Sequence, residues 1–156
     1  MPIEVGQEAP DFTLKDAGNE DVALSSFRGR KNVVLVFYPL AFSSNCTRQL
    51  TDIGEHEARY AGDEAQVIGV SVDSRYVQGR FAQDLGLRDT ILLADFEPKG
   101  AVSRRYGVYL DERGYSGRAT FVIDRAGVVR SASLTDTPSE IPDEEEYFRA
   151  LAVCNL

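Results

Sequence analysis

The sequence predicts an α/β protein: a central mixed β-sheet flanked by helices, with a short β-hairpin as an N-terminal extension, in one domain spanning residues 1–156. Three features carry this reading. Runs of β-branched and aromatic residues recur with the continuity of strands buried on both faces. Amphipathic helical stretches alternate with them, the pattern of a parallel sheet. A pair of strands around a glycine-bearing turn near the C-terminus adds an antiparallel part.

In chain order, Phe12-Thr13-Leu14 and Asp21-Val22-Ala23-Leu24 alternate apolar and polar residues around the turn Asp16-Ala17-Gly18-Asn19, which predicts the first hairpin. Asn32 to Tyr38 is a continuous apolar run and reads as a central strand, ended by Pro39, which cannot donate to a ladder. From Cys46 the pattern turns helical, with Leu50, Ile53 and Tyr60 on one side and charges on the other. Gln66 to Val72 is a second buried strand. Ser74 to Leu85 reads as a helix capped by Asp73 or Ser74. Thr90 to Ala94 is a third strand, and Gly100 to Tyr106 a short helix closed by Gly107. Arg118 to Asp124 and Val128 to Ser133 form the second hairpin about Arg125-Ala126-Gly127. Pro142 starts a last helix whose acids, Asp143, Glu144 and Glu145, suit its positive end. The acidic stretch from Asp136 to Glu146 reads as a solvated loop and helix start.

Composition narrows the function. Apolar residues make up 43% and charged residues 27%, as in a globular protein. The net charge of −8 gives no attraction for phosphate backbones or anionic lipid, so neither nucleic acid nor membrane is an expected partner. No apolar run approaches the roughly 20 residues of a membrane span. Met1-Pro2-Ile3-Glu4 lacks the basic start of a signal peptide, so a cytoplasmic location is expected. Two cysteines and one histidine are too few for a disulfide framework or a zinc site. His56, among Glu55, Glu57 and Arg59, reads as a solvated surface histidine. Without a second histidine or a serine in a nucleophile elbow, Ser-His hydrolysis has no basis.

Cys46 carries the most chemistry. It follows a buried strand and a loop and falls in the first turn of a helix, with Ser44 and Asn45 as candidate N-caps. Unpaired N–H groups and the positive dipole end at such a site favour thiolate over thiol. Position alone leaves two readings open: a nucleophile, or a small buried hydrophobe.

The segment Pro39-Leu40-Ala41-Phe42-Ser43-Ser44-Asn45-Cys46 resembles the active-site pattern of the peroxiredoxins, in which a proline, a threonine or serine, and a cysteine stand at this spacing. Val5 to Leu14, Asn32 to Tyr38, Val67 to Asp73, Leu92 to Phe96 and Gly117 to Asp124 resemble further segments of the same family. The run from Lys99 to Val108 and the Phe-bearing loop are most similar to its one-cysteine, alkyl hydroperoxide reductase E-like group. The resemblance implies a thioredoxin-like fold and a thiol-dependent peroxidase. It implies that Cys46 attacks the peroxide and becomes a sulfenic acid. Ser43 would hydrogen-bond peroxide and sulfur, Arg118 would stabilise the thiolate and the departing oxygen, and Pro39 would shield the sulfur from water. Leu40, Ala41, Phe42 and Asn45 would border the substrate, the first three as an apolar mouth for alkyl hydroperoxides. No metal or organic cofactor is required. The position three residues after the cysteine, commonly acidic in the family, is Gln49 here, which predicts altered arginine positioning or dimer contacts.

Cys154 stands with Tyr147 and Leu151 at i, i+4 and i+7, one helix face, and reads as a packed thiol. The alternative is a resolving cysteine that attacks the Cys46 sulfenate. Without it, an external thiol must recycle the enzyme; the resemblance implies mycothiol with a glutaredoxin-like (mycoredoxin-like) partner, or thioredoxin. It also implies a homodimer or higher homo-oligomer, with the active-site loop and Asp95-Phe96-Glu97-Pro98 at the interface. Two rival functions share the scaffold. A disulfide oxidoreductase would need Cys-x-x-Cys, and the fourth position is Gln49. A peroxide sensor or chaperone would bind a partner instead of turning over.

Overall fold

The computed structural model describes residues 1–156. The N-terminal hairpin pairs β1 (Thr13–Lys15) with β2 (Asp21–Ala23). Its turn is held by the Asp16 carboxylate, which accepts from the amides of Gly18 at 2.9 Å and Glu20 at 3.0 Å. A 3-10 turn, Leu24–Phe27, leads to β3 (Asn32–Phe37), α1 (Ser44–Glu55) and α2 (Glu57–Gly62). There follow β4 (Ala65–Ser71), α3 (Arg75–Leu85), β5 (Ile91–Ala94) and α4 (Ala101–Arg105). A two-residue pair, β6 (Tyr109–Leu110) with β7 (Tyr115–Ser116), precedes the second hairpin, β8 (Ala119–Ile123) and β9 (Val129–Leu134). Helix α5 (Glu144–Cys154) ends the chain.

The main sheet has the strand order β2-β1-β5-β4-β3-β8-β9. β3, β4 and β5 run parallel; β8 lies antiparallel to β3, and β1 antiparallel to β5. This is the mixed sheet expected, with the hairpin extension at one edge. All six residues of β3 are buried, which is why its sequence is continuously apolar instead of alternating. Its two faces serve separate cores with the period of two that a strand dictates. Val33, Leu35 and Phe37 join Phe12, Tyr106 and Phe121 on one side. Val34, Val36 and Tyr38 join Leu50, Ile53, Phe81, Tyr147 and Leu151 on the other. Each large apolar side chain removed from water contributes roughly 1.5–3 kcal/mol, so both layers hold the sheet. α1, α2, α3 and α5 cover the second face; α4 and the N-terminal segment cover the first.

Three elements differ from expectation. The helical pattern from Cys46 to Tyr60 is two helices, broken at His56, whose φ of −116° and ψ of 17° leave the helical region. The break lets Tyr60 turn inward, where its hydroxyl donates to Glu144 at 2.7 Å; His56 stays on the surface, its Nδ1 at 3.1 Å from the same carboxylate. The last helix starts at Glu144, because Asp143 caps it by accepting from the Glu145 amide at 3.0 Å. β6 and β7 are too short to leave a periodic signature.

Candidate active site

The site forms where β3 ends. Tyr38 and Pro39 are buried, and the chain turns at Leu40 to Phe42 before entering α1. Ser43 is the N-cap: its backbone is extended and its carbonyl accepts from the Thr47 amide at 2.9 Å. The expected caps, Ser44 and Asn45, are instead the first helical residues. The helix starts earlier because Ser43, not Ser44, has the extended backbone that a cap requires. Cys46 is therefore the third helical residue, and the amides of Ser44, Asn45 and Cys46 find no acceptor within the chain. These free N–H groups and the dipole end converge beside the sulfur.

Arg118 comes from the sheet. β8 runs antiparallel to β3 with Ala119 opposite Phe37, so the residue before β8 lies beside the end of β3. Its guanidinium is buried, at 1% exposure. Nη2 donates to Cys46 Sγ at 3.3 Å, and Nη1 donates to Gln49 Oε1 at 2.7 Å. Nε and Nη2 both donate to the Pro138 carbonyl, at 3.1 Å and 2.7 Å. No carboxylate pairs with this cation. A buried guanidinium without a counter-ion costs several kcal/mol, so the arrangement favours negative charge on the sulfur.

Gln49 is thus a direct partner of Arg118, one helical turn from Cys46. Its Nε2 is buried without an acceptor. Nearby, the Tyr147 hydroxyl pairs with Thr120 Oγ1 at 2.8 Å, and burial pushes its phenol up to about 12.

A cleft of about 460 Å³ opens over Arg118. Pro39, Leu40, Ser43 and Asn45 form one wall, and Arg113, Tyr115, Thr137, Pro138 and Ser139 the other. Cys46 is fully buried and meets the cleft through Arg118, which lines it and donates to the sulfur. Ser43 is exposed, and its hydroxyl donates to Leu40 O at 2.7 Å rather than to the sulfur. Ala41 and Phe42, expected at the apolar mouth, lie outside the cleft. The Ala41 amide donates to Asp73 Oδ2 at 2.8 Å, and the Phe42 ring packs 4.9 Å from that of Phe81. Phe42 adopts φ of 68°, a left-handed conformation costing a bulky residue about 1–2 kcal/mol. Leu40 alone of the three borders the cleft.

The sequence left several site groups unnoticed. The Pro138 carbonyl clamps Arg118 from a loop that read as solvated, and a backbone acceptor leaves no composition signal. Arg113 and Tyr115 flank the site from β7 and its approach. Asp73 read only as a possible helix cap; Ser74 fills that role, accepting from the Val77 amide at 3.3 Å.

Cys154 lies elsewhere. It is half-buried at the end of α5, and burial pushes its thiol up. The next residue, Asn155, accepts through Oδ1 from Asn32 Nδ2 at 2.9 Å, at the start of β3. Cys46 follows the other end of that strand. At ~3.3 Å per residue the strand separates the two thiols by far more than the roughly 7 Å between Cα atoms that a disulfide allows.

A buried cysteine at a helix N-terminus, its sulfur accepting from an arginine that precedes the adjacent strand, defines a thiol-based redox protein. The profile of the AhpC/TSA family matches residues 5–132. The chain is 39% identical over 150 residues to alkyl hydroperoxide reductase E of Mycobacterium tuberculosis, covering 96% of this chain and 97% of that one. It is 35% identical over 147 residues to peroxiredoxin tpx1 of Schizosaccharomyces pombe, covering 88% and 75%. It superposes on AhpC of Enterococcus faecalis with a TM-score of 0.86 at 29% identity, over 99% of this chain and 93% of the other. The chain belongs to the AhpC/TSA family, and it is a thiol-dependent peroxidase of thioredoxin-like fold.

Proposed function

We propose that the enzyme reduces hydrogen peroxide and organic hydroperoxides at Cys46, which is then regenerated by an external thiol. The observation that carries this is the 3.3 Å contact between Arg118 and the Cys46 sulfur, made at a helix N-terminus with three free amides. The thiolate attacks the distal peroxide oxygen. An S–O bond forms, the O–O bond breaks, and the departing alkoxide or hydroxide takes up a proton. Arg118 and the free amides stabilise the charge that moves from sulfur to the leaving oxygen. Pro39 covers the sulfur against water, and Ser43 supplies a hydroxyl from the cleft wall, turning from Leu40 O to the bound peroxide. One thiol condenses with the sulfenic acid and releases water; a second displaces it as a disulfide and restores Cys46.

The position of Cys154 supports a one-cysteine cycle, since it sits at the opposite end of β3 and is half-buried. The cleft, with two arginines and no acid in its lining, suits a small polar thiol such as mycothiol or the tip of a thioredoxin- or glutaredoxin-like partner. Leu40 and the room beside it suit an alkyl hydroperoxide. Exposed Phe96 and Tyr76 support association into a homodimer on the active-site side of the sheet. Peroxide consumption with excess dithiothreitol tests the proposal: Cys46→Ser is expected to abolish turnover, and turnover retained by that variant would refute it.

A further inference from the structure

Beneath the active-site loop lies a chain of hydrogen bonds, buried at Tyr38, Ser71 and Gln78 and half-buried at Asp73, that the peroxide chemistry does not touch. The Tyr38 hydroxyl donates to Gln78 Oε1. Gln78 Nε2 donates to Ser71 Oγ at 2.9 Å and to Leu93 O at 2.8 Å. Ser71 Oγ donates to Asp73 Oδ2 at 2.6 Å, and the same carboxylate oxygen accepts from the Ala41 amide at 2.8 Å. Tyr38, Ser71 and Gln78 are all buried, at 2% exposure or less. The two ends of this chain grip the loop on either side of its turn: Tyr38 immediately before Pro39, and Ala41 two residues after it.

The loop needs such a grip. Directly after Ala41, Phe42 holds a left-handed φ of 68°, which a non-glycine residue keeps only where its surroundings over-determine it. Two contacts do so: the Ala41–Asp73 hydrogen bond on one side and the Phe42–Phe81 ring contact on the other. The strained residue sets the direction of Ser43, the helix cap, and so the first turn of α1 with its three free amides and Cys46.

We propose that Asp73 is a positioning residue for peroxide reduction: by accepting the Ala41 amide it holds the loop in the strained form that aims the free amides of α1 at the peroxide. This rests on the peroxidase reading above and deepens it. Peroxide reduction needs the donors aligned with a developing oxyanion, and misplacement by an ångström is enough to cost orders of magnitude. Alkylation by iodoacetamide needs only a reachable sulfur nucleophile. The two reactions of one thiol therefore separate positioning from general damage.

The test measures both rate constants for Cys46 at one pH, in a Cys154→Ser background, by rapid quench and mass spectrometry. Asp73→Ala is expected to slow oxidation by hydrogen peroxide about thirtyfold and to change alkylation by less than about threefold. Asp73→Asn, which keeps an oxygen for the Ala41 amide, is expected to hold oxidation within about threefold of the parent. Ser71→Ala removes the donor that orients the carboxylate and is expected to fall between them; it keeps the test available should Asp73→Ala not fold, as judged by circular dichroism. The proposal is overturned if oxidation is unchanged in both Asp73→Ala and Ser71→Ala. It is equally overturned if oxidation and alkylation fall together, or if Asp73→Asn is as slow as Asp73→Ala. Failure of the peroxidase reading itself shows separately, as a parent protein whose Cys46 alkylates but does not react with peroxide.

Discussion

Arg118 joins three acceptors through one rigid fork: the Cys46 sulfur, the Gln49 carboxamide and the Pro138 carbonyl. A lysine would bring the charge but only one point of attachment, and could not hold the same sulfur contact while anchored to the other two. Arg118→Lys should therefore slow peroxide reduction by about 10²–10³-fold, the range for removing an oxyanion donor, with little change in fold. Stopped-flow oxidation and far-ultraviolet dichroism measure the two effects. The motif residues Pro39 and Cys46 were legible in the sequence because the spacing between them is local. Arg118 was legible only through its surrounding segment, since a lone arginine is ordinarily a surface charge. Pro138 was not legible at all: it contributes a backbone oxygen, and every residue carries one. Ser43 was legible as a residue but not in its orientation, because its hydroxyl has a local carbonyl to satisfy.

The helices show how short-range chemistry sets element boundaries. Glu57, the first residue of α2, accepts from the amides of Arg88, Asp89 and Thr90 and from the Thr90 hydroxyl, tying α2 to the start of β5. Burial pulls its carboxyl up, but the Thr90 hydroxyl and the three amides pull harder, so the group titrates below the usual glutamate range. A carboxyl lowered in the folded state adds stability above its unfolded value, and that stability is lost as pH falls through the lowered folded value. Glu57→Gln should cost about 1–3 kcal/mol at pH 7. The difference from the parent should shrink as urea denaturation is repeated below pH ~4, since an unperturbed glutamate titrates near 4.3. This staple was not legible, because it joins residues more than thirty apart. The buried strands were: β3 and β4 have no polar face, and nothing but a two-sided core explains such runs. The break at His56 was missed because Tyr60 falls seven residues after Ile53, a spacing that one continuous helix would also show.

Across the molecule, the sheet makes the site. Cys46 and Arg118 lie 72 residues apart in sequence and meet because β8 pairs with β3, the strand that delivers Cys46. The same sheet keeps Cys154 away, at the far end of β3, with α5 pinned there by Tyr147, Phe148 and Leu151. Leu151 is fully buried, so Leu151→Ala should destabilise the protein by about 2–5 kcal/mol while leaving the chemistry of Cys46 in place; thermal melts and oxidation rates separate the two. The overall order of elements was legible because strands and helices differ in period. The distance between the thiols was not, because it depends on the direction in which α5 crosses the sheet. Intact-mass analysis after one equivalent of hydrogen peroxide probes both thiols together. Gain of a single oxygen by the parent and by Cys154→Ser, with none in Cys46→Ser, is expected. Oxygen uptake by Cys46→Ser, or loss of two hydrogens from the parent as a Cys46–Cys154 disulfide, would contradict a cycle that begins at Cys46 and is completed by an external thiol.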